Sequence, residues 1–118
     1  MADDITFNCV FQIVPGRFGE FKTLVRSMVE MSKQESGCLA YEYSVSEDNL
    51  TVHIVERYQD SDAILHHLSE TFSKVAKEFD ELASCSSFVI VGTASEQVQS
   101  LLAGANPIYV RNFDGFSK

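Results

Sequence analysis

The chain predicts an α+β fold in which one antiparallel sheet carries its helices on a single face. Three observations carry that reading. Apolar and polar residues alternate in several short runs, two longer stretches repeat apolar residues every third or fourth position, and these segments follow one another in the order β-α-β-β-α-β.

From Ile5 to Ile13, the side chains of Ile5, Phe7, Cys9, Phe11 and Ile13 fall on one face and Thr6, Asn8, Val10 and Gln12 on the other, as in a half-buried strand. Pro15-Gly16 ends it. Phe18, Phe21, Leu24, Val25, Met28 and Val29 then keep helical spacing in a segment running to about Glu35, closed by Gly37. Leu39, Tyr41, Tyr43 and Val45 alternate with Cys38, Ala40, Glu42 and Ser44; the polar turn Ser46-Glu-Asp-Asn49 follows, and Leu50 to Tyr58 alternates again, predicting a hairpin. Its later strand puts Leu50, Val52, Ile54, Glu56 and Tyr58 on one face.

Asp60 and Ser61 are capping residues for a second helix with Ile64, Leu68, Phe72, Val75, Phe79 and Leu82 on one side and a bend near Ser69. Ser87 to Val91 is a short apolar strand, and Gly92 follows. The order completes a ferredoxin-like split βαβ. Beyond it, Ser95 to Ala103 has the pattern of a short capped helix with Val98, Leu101 and Leu102 inward and Gly104 at its end, and Ile108 to Phe113 alternates like an extra strand. Residues 1–94 are thus expected to form the ferredoxin-like domain, and 95–118 a helix and strand extending it.

A length of 118 residues with 45% hydrophobic side chains suits one domain with its own core. Nine Lys+Arg against 17 Asp+Glu give a net charge of −8, which repels phosphate backbones and anionic lipid, so neither nucleic acid nor a membrane surface is an expected partner. The acidic start Met1-Ala-Asp-Asp4 lacks the basic character of a signal peptide, and no apolar run has the length of a membrane span; a cytoplasmic location is expected. Cys9, Cys38 and Cys85 form no CxxC pair and are expected to be buried free thiols.

Phosphate loops, GxSxG and HExxH patterns are missing, so the chemistry must rest on few groups. His66 and His67 are helix neighbours pointing about 100° apart, which does not suit joint metal binding. Helical spacing puts His66 on the wet side with Asp62, Glu70 and Ser73, and His67 at the border of the buried stripe, three after Ile64 and four before Thr71. Glu56 shares a face with apolar residues and therefore needs a donor or a raised pKa. Arg57 points the other way, leaving a helix N-terminus, Tyr41 or Tyr43 as the expected partner of Glu56.

Gly37-Cys-Leu-Ala-Tyr41, Glu56-Arg-Tyr58, Ser61-Asp-Ala63 and His67-Leu68-Ser69 with Phe72 resemble the antibiotic biosynthesis monooxygenase family over about residues 5 to 92. The resemblance implies a dimeric α+β barrel, a homodimer of two face-to-face sheets with a small pocket between each sheet and its helices. It further implies cofactor-independent oxidation of a small quinol or phenolic compound by molecular oxygen, with no metal, flavin or heme. Such a reaction needs a dry pocket that holds a deprotonated aromatic. The residues matching that role here are His67, Tyr58 and Glu56 as catalytic groups, within a wall of Phe7, Cys9, Phe11, Tyr41, Val52, Ile54 and Phe72.

Heme-degrading relatives of the same fold are a poorer match: Cys9 stands nearest their first-strand asparagine, Tyr58 at their tryptophan, and Phe72-Ser-Lys-Val-Ala76 offers no ligating histidine. Isomerases of the fold that take phosphorylated compounds need basic pocket residues, which the inward faces do not supply. A noncatalytic binding dimer or an isomerase of another small molecule is the alternative. The sheet face opposite the helices mixes Val10, Ala40, Cys38 and Val55 with uncharged polar residues, which suits burial against a second copy.

Overall fold

The computed structural model describes residues 3–118; Met1 and Ala2, the first residues of the acidic N-terminal stretch, lie outside the described residues. Among those described, the strands are β1 (Ile5–Ile13), β2 (Cys38–Val45), β3 (Thr51–Tyr58), β4 (Ala83–Val91) and β5 (Ile108–Val110). The helices are α1 (Phe18–Ser32), α2 (Ser61–Glu70), α3 (Ala76–Leu82) and α4 (Glu96–Leu102). Strand order is β2-β3-β1-β4-β5, with the first four antiparallel, as the split βαβ requires. β5 runs parallel to β4 of its own chain, pairing Val89 with Ile108 and Val91 with Val110. No helix among the described residues is long and apolar enough to cross a membrane.

The alternation in β1 and β3 delivers the core. Ile5, Phe7, Cys9 and Ile13 from β1 and Val52, Ile54 and Tyr58 from β3 are buried on the helix-bearing face, against Phe21, Leu24 and Met28 of α1, Ile64 of α2, Phe79 and Leu82 of α3, and Val98 of α4. The N-caps follow side-chain chemistry. Asp60 accepts from the Ala63 N–H at 2.9 Å and Ser95 from that of Val98 at 3.2 Å. Ser61 has another use: its Oγ accepts from the Ser95 N–H at 2.9 Å, fastening the start of α4 to α2.

Several local expectations are corrected. A register shift between Cys38 and Ala40 in β2 brings Cys38 opposite Tyr58 and packs it on the core, while Leu39 turns out and is 53% exposed. Cys38 therefore leaves the outer face on which alternation placed it. The second helix breaks rather than bends, into α2, a 3-10 turn at Phe72–Lys74 and α3. Thr71, at the break, turns its hydroxyl onto Glu35.

β4 starts at Ala83, four residues before the expected Ser87, because pairing with β1 recruits the small polar run Ser84 to Ser87. At the end of α4, Leu101 is exposed instead of inward, and the left-handed residue that stops the chain is Asn106 (φ 52°), not Gly104. Gly37 serves close packing: a Cβ there would lie 2.5 Å from that of Ala63. Of the three free cysteines Cys9 is buried, Cys38 half-buried, and Cys85 exposed, against expectation.

Candidate active site

A cavity of about 550 Å³ opens between the sheet and the helices. Its walls include Phe7, Cys9 and Phe11 from β1, Tyr41 and Tyr43 from β2, Ile54 and Glu56 from β3, and His67, Leu68 and Phe72 from α2 and the turn after it. Phe79 and Asp80 of α3, Ala83, Ser84, Cys85 and Phe88 of β4, Leu102 at the end of α4, and Gly104 and Ala105 after it complete the lining. No lysine or arginine of the described residues lines it. Of the expected site residues, one wall member, Val52, and one catalytic candidate, Tyr58, do not line it. Val52 lines a separate cavity of about 620 Å³ against α1, and Tyr58 is fully buried; they lie at opposite ends of the inward row of β3, of which only the middle residues Ile54 and Glu56 line the cavity.

His67 is 3% exposed, whereas His66 is exposed, as helical spacing requires. The imidazole is held from every side. Its Nδ1 lies 3.2 Å from both carboxyl oxygens of Glu35. Its Nε2 lies 3.9 Å from Glu56 Oε1. The rings of Tyr41 and Tyr58 flank it at centroid distances of 5.2 and 5.4 Å.

Glu35 follows the end of α1, where its N–H donates to Ser32 O at 3.0 Å and its C=O accepts from the Cys38 N–H at 3.1 Å. These bonds aim the side chain inward, and Thr71 donates its hydroxyl to Oε2.

Glu56 finds its donor two residues along its own strand: the Tyr58 hydroxyl donates to Oε1. The neighbouring-strand tyrosines instead bond each other, Tyr41 Oη to Tyr43 Oη at 2.9 Å, which corrects the expectation that one of them satisfies Glu56. Burial pushes the Glu56 carboxyl above its ordinary range, and Glu35 adds to the rise, against the opposing pull of His67 and the Tyr58 hydrogen bond. Burial also raises Tyr41, Tyr43 and Tyr58, with the Glu56 charge adding to each, so these phenols stay protonated. The Cys9 thiol is raised too, mainly by burial, and remains a thiol rather than a nucleophile. The cavity thus sets Glu56, its carboxyl raised by burial, beside an imidazole in a largely apolar wall that also holds Asp80 and Ser84.

Residue reasoning reached His67, Glu56 and Tyr58 but missed Glu35 and Thr71, both buried. A signal existed for each. Glu35 continues the inward stripe of α1 at seven residues from Met28, and Thr71 lies one turn beyond His67.

The sequence profile of the antibiotic biosynthesis monooxygenase family matches residues 5–81. No curated protein matches the chain in sequence. Among solved structures, the chain is similar to MupZ from Pseudomonas fluorescens, with 25% identity, a TM-score of 0.84 and coverage of 98% of this chain and 94% of that one. PA3566 from Pseudomonas aeruginosa shares 23% identity at a TM-score of 0.64, covering 76% of this chain and 91% of that one. SnoaB from Streptomyces nogalater, a cofactor-independent oxygenase, shares the fold at 18% identity and a TM-score of 0.67, covering 81% of this chain and 96% of its own.

Proposed function

The chain belongs to the antibiotic biosynthesis monooxygenase family, and from that premise we propose that it oxidises a small quinol or phenol with molecular oxygen, without a cofactor, in the cavity between sheet and helices. The observation that carries this reading is the meeting of His67 and Glu56 in a largely apolar cavity. His67 Nε2 takes the phenolic proton. The resulting anion is electron-rich enough to pass an electron to oxygen, and the dry wall keeps charge and radical away from water. Joining the two radicals forms a carbon–oxygen bond. Loss of water then leaves one oxygen atom on the ring as a quinone carbonyl, while the other departs with two hydrogens from the substrate, so no external reductant is needed.

Glu56, with Tyr58 fixing its carboxyl, orients the substrate oxygen. Phe7, Phe11, Ile54 and Phe72 supply the apolar faces. A wall without cations disfavours phosphorylated substrates. The same reading includes a homodimer in the cytoplasm.

A second reading, acid–base isomerisation without oxygen, is favoured by one observation: burial raises the Glu56 carboxyl above its ordinary range, 3.9 Å from the His67 imidazole. One assay separates the readings. Oxygen uptake is followed over a panel of quinols, naphthols and hydroxylated polycyclic aromatics, with mass analysis of products and anaerobic controls. Oxygenation predicts uptake and products that gain an oxygen atom, with His67→Ala lowering turnover by about ten- to ten-thousand-fold and His66→Ala changing little. A product of unchanged mass formed anaerobically supports isomerisation, and retention of an unaltered compound supports a noncatalytic binding role. Full turnover by His67→Ala rules out the histidine as base.

A further inference from the structure

We infer that Glu35 is a positioning residue that holds His67 in the tautomer with its proton on Nδ1, leaving Nε2 as the free nitrogen at the cavity. This inference rests on the reading of His67 as the base. Nothing in that reading requires Glu35, which lies on a different element and does not line the cavity. The geometry requires it. Nδ1 faces two carboxyl oxygens at equal distances of 3.2 Å, and an ionised carboxyl can only accept hydrogen bonds. A lone pair on Nδ1 would face those oxygens unpaired in a site where both side chains are about 95% buried.

The carboxyl is itself immobilised. Thr71, on the same helical run as His67, donates to Oε2, and the backbone of Glu35 is bonded on both sides by Ser32 O and the Cys38 N–H. The Tyr41 and Tyr58 rings keep the imidazole plane from turning over to exchange its nitrogens. On the far side, Nε2 is 3.9 Å from Glu56, beyond hydrogen-bond reach, so no protein group claims it as a donor. A base aimed at substrate by a carboxyl behind it is a recurrent arrangement wherever an imidazole must accept a proton.

The tautomer is read directly from long-range proton–nitrogen NMR correlations of the His67 ring in the full chain, with no substrate present. In the wild type at neutral pH, Nδ1 should be protonated and Nε2 not. Protonation of Nε2, as the other neutral tautomer or as the imidazolium, overturns the inference before any variant is made. Glu35→Gln offers both an amide oxygen and an amide N–H to Nδ1, so either tautomer is satisfied, and the Nδ1–H form should fall to about half or less of the population. A folded Glu35→Gln protein with the wild-type tautomer overturns the inference, whatever its loss in stability. That outcome leaves His67 free to act as base. Full turnover by His67→Ala has the opposite meaning, removing the base while leaving the tautomer measurement intact.

Discussion

At the scale of single residues, Glu56 sets a measurable pH dependence. Its carboxyl is raised above 4.5 mainly by burial. Between 4.5 and its folded value, the folded protein keeps this proton while the unfolded chain releases it, so its stabilising contribution is full below pH 4.5 and is lost as pH rises through that window. Glu56→Gln keeps the shape and removes the titration. Thermal melts of both proteins should therefore diverge from about pH 4.5 upward in favour of the variant, by at most about 1.4 kcal/mol per pH unit, and run parallel above the folded value. Equal slopes at every pH would show that Glu56 ionises normally. The sequence disclosed this group because a carboxylate stood within an apolar period-two row. It hid Glu35, since one acidic residue at a polar helix end looks solvated unless the inward stripe is extended past the last helical turn.

At the scale of elements, Gly37 makes the sharpest prediction. Its φ is not positive, so its role is space rather than backbone freedom. Gly37→Ala would drive a Cβ to 2.5 Å from Ala63 Cβ at the start of α2, an overpacking expected to destabilise by about 1–3 kcal/mol, or roughly 4–15 °C in Tm. Adding Ala63→Gly should recover most of the loss in a double-mutant cycle. Independent, additive losses would place the effect elsewhere. Element types and order were legible because each strand and helix has one buried face, and burial writes its period into the sequence. Boundaries were less so. The break at Thr71 answers to a hydrogen bond with Glu35, the early part of β4 to pairing with β1, and the outward turn of Leu39 to a bulge; each depends on a partner distant in sequence.

At the scale of the whole molecule, the uncovered surfaces argue for a second copy. The outer sheet face carries Val10, Ala40 and Val55 among polar neighbours, and the bulge adds the exposed Leu39. Phe113 and Phe116, beyond β5, are 93% and 86% exposed, and Ile108 at the start of β5 is 63% exposed. β5 protects the β4 edge of its own chain, so the tail strand is not needed by a partner sheet, yet the two aromatics after it bury almost nothing within the chain. A two-fold dimer that covers the outer face and these rings would remove both from water, within the roughly 1,200–2,000 Å² typical of a stable interface. Sedimentation equilibrium at micromolar concentration should show a dimer. Deleting residues 111–118 spares β5 and should raise the dissociation constant by at least about tenfold, since two buried phenylalanines are worth several kcal/mol when desolvated. A monomeric wild type removes the dimer altogether. An unchanged dimer after the deletion confines the interface to the sheet face and leaves the tail outside it.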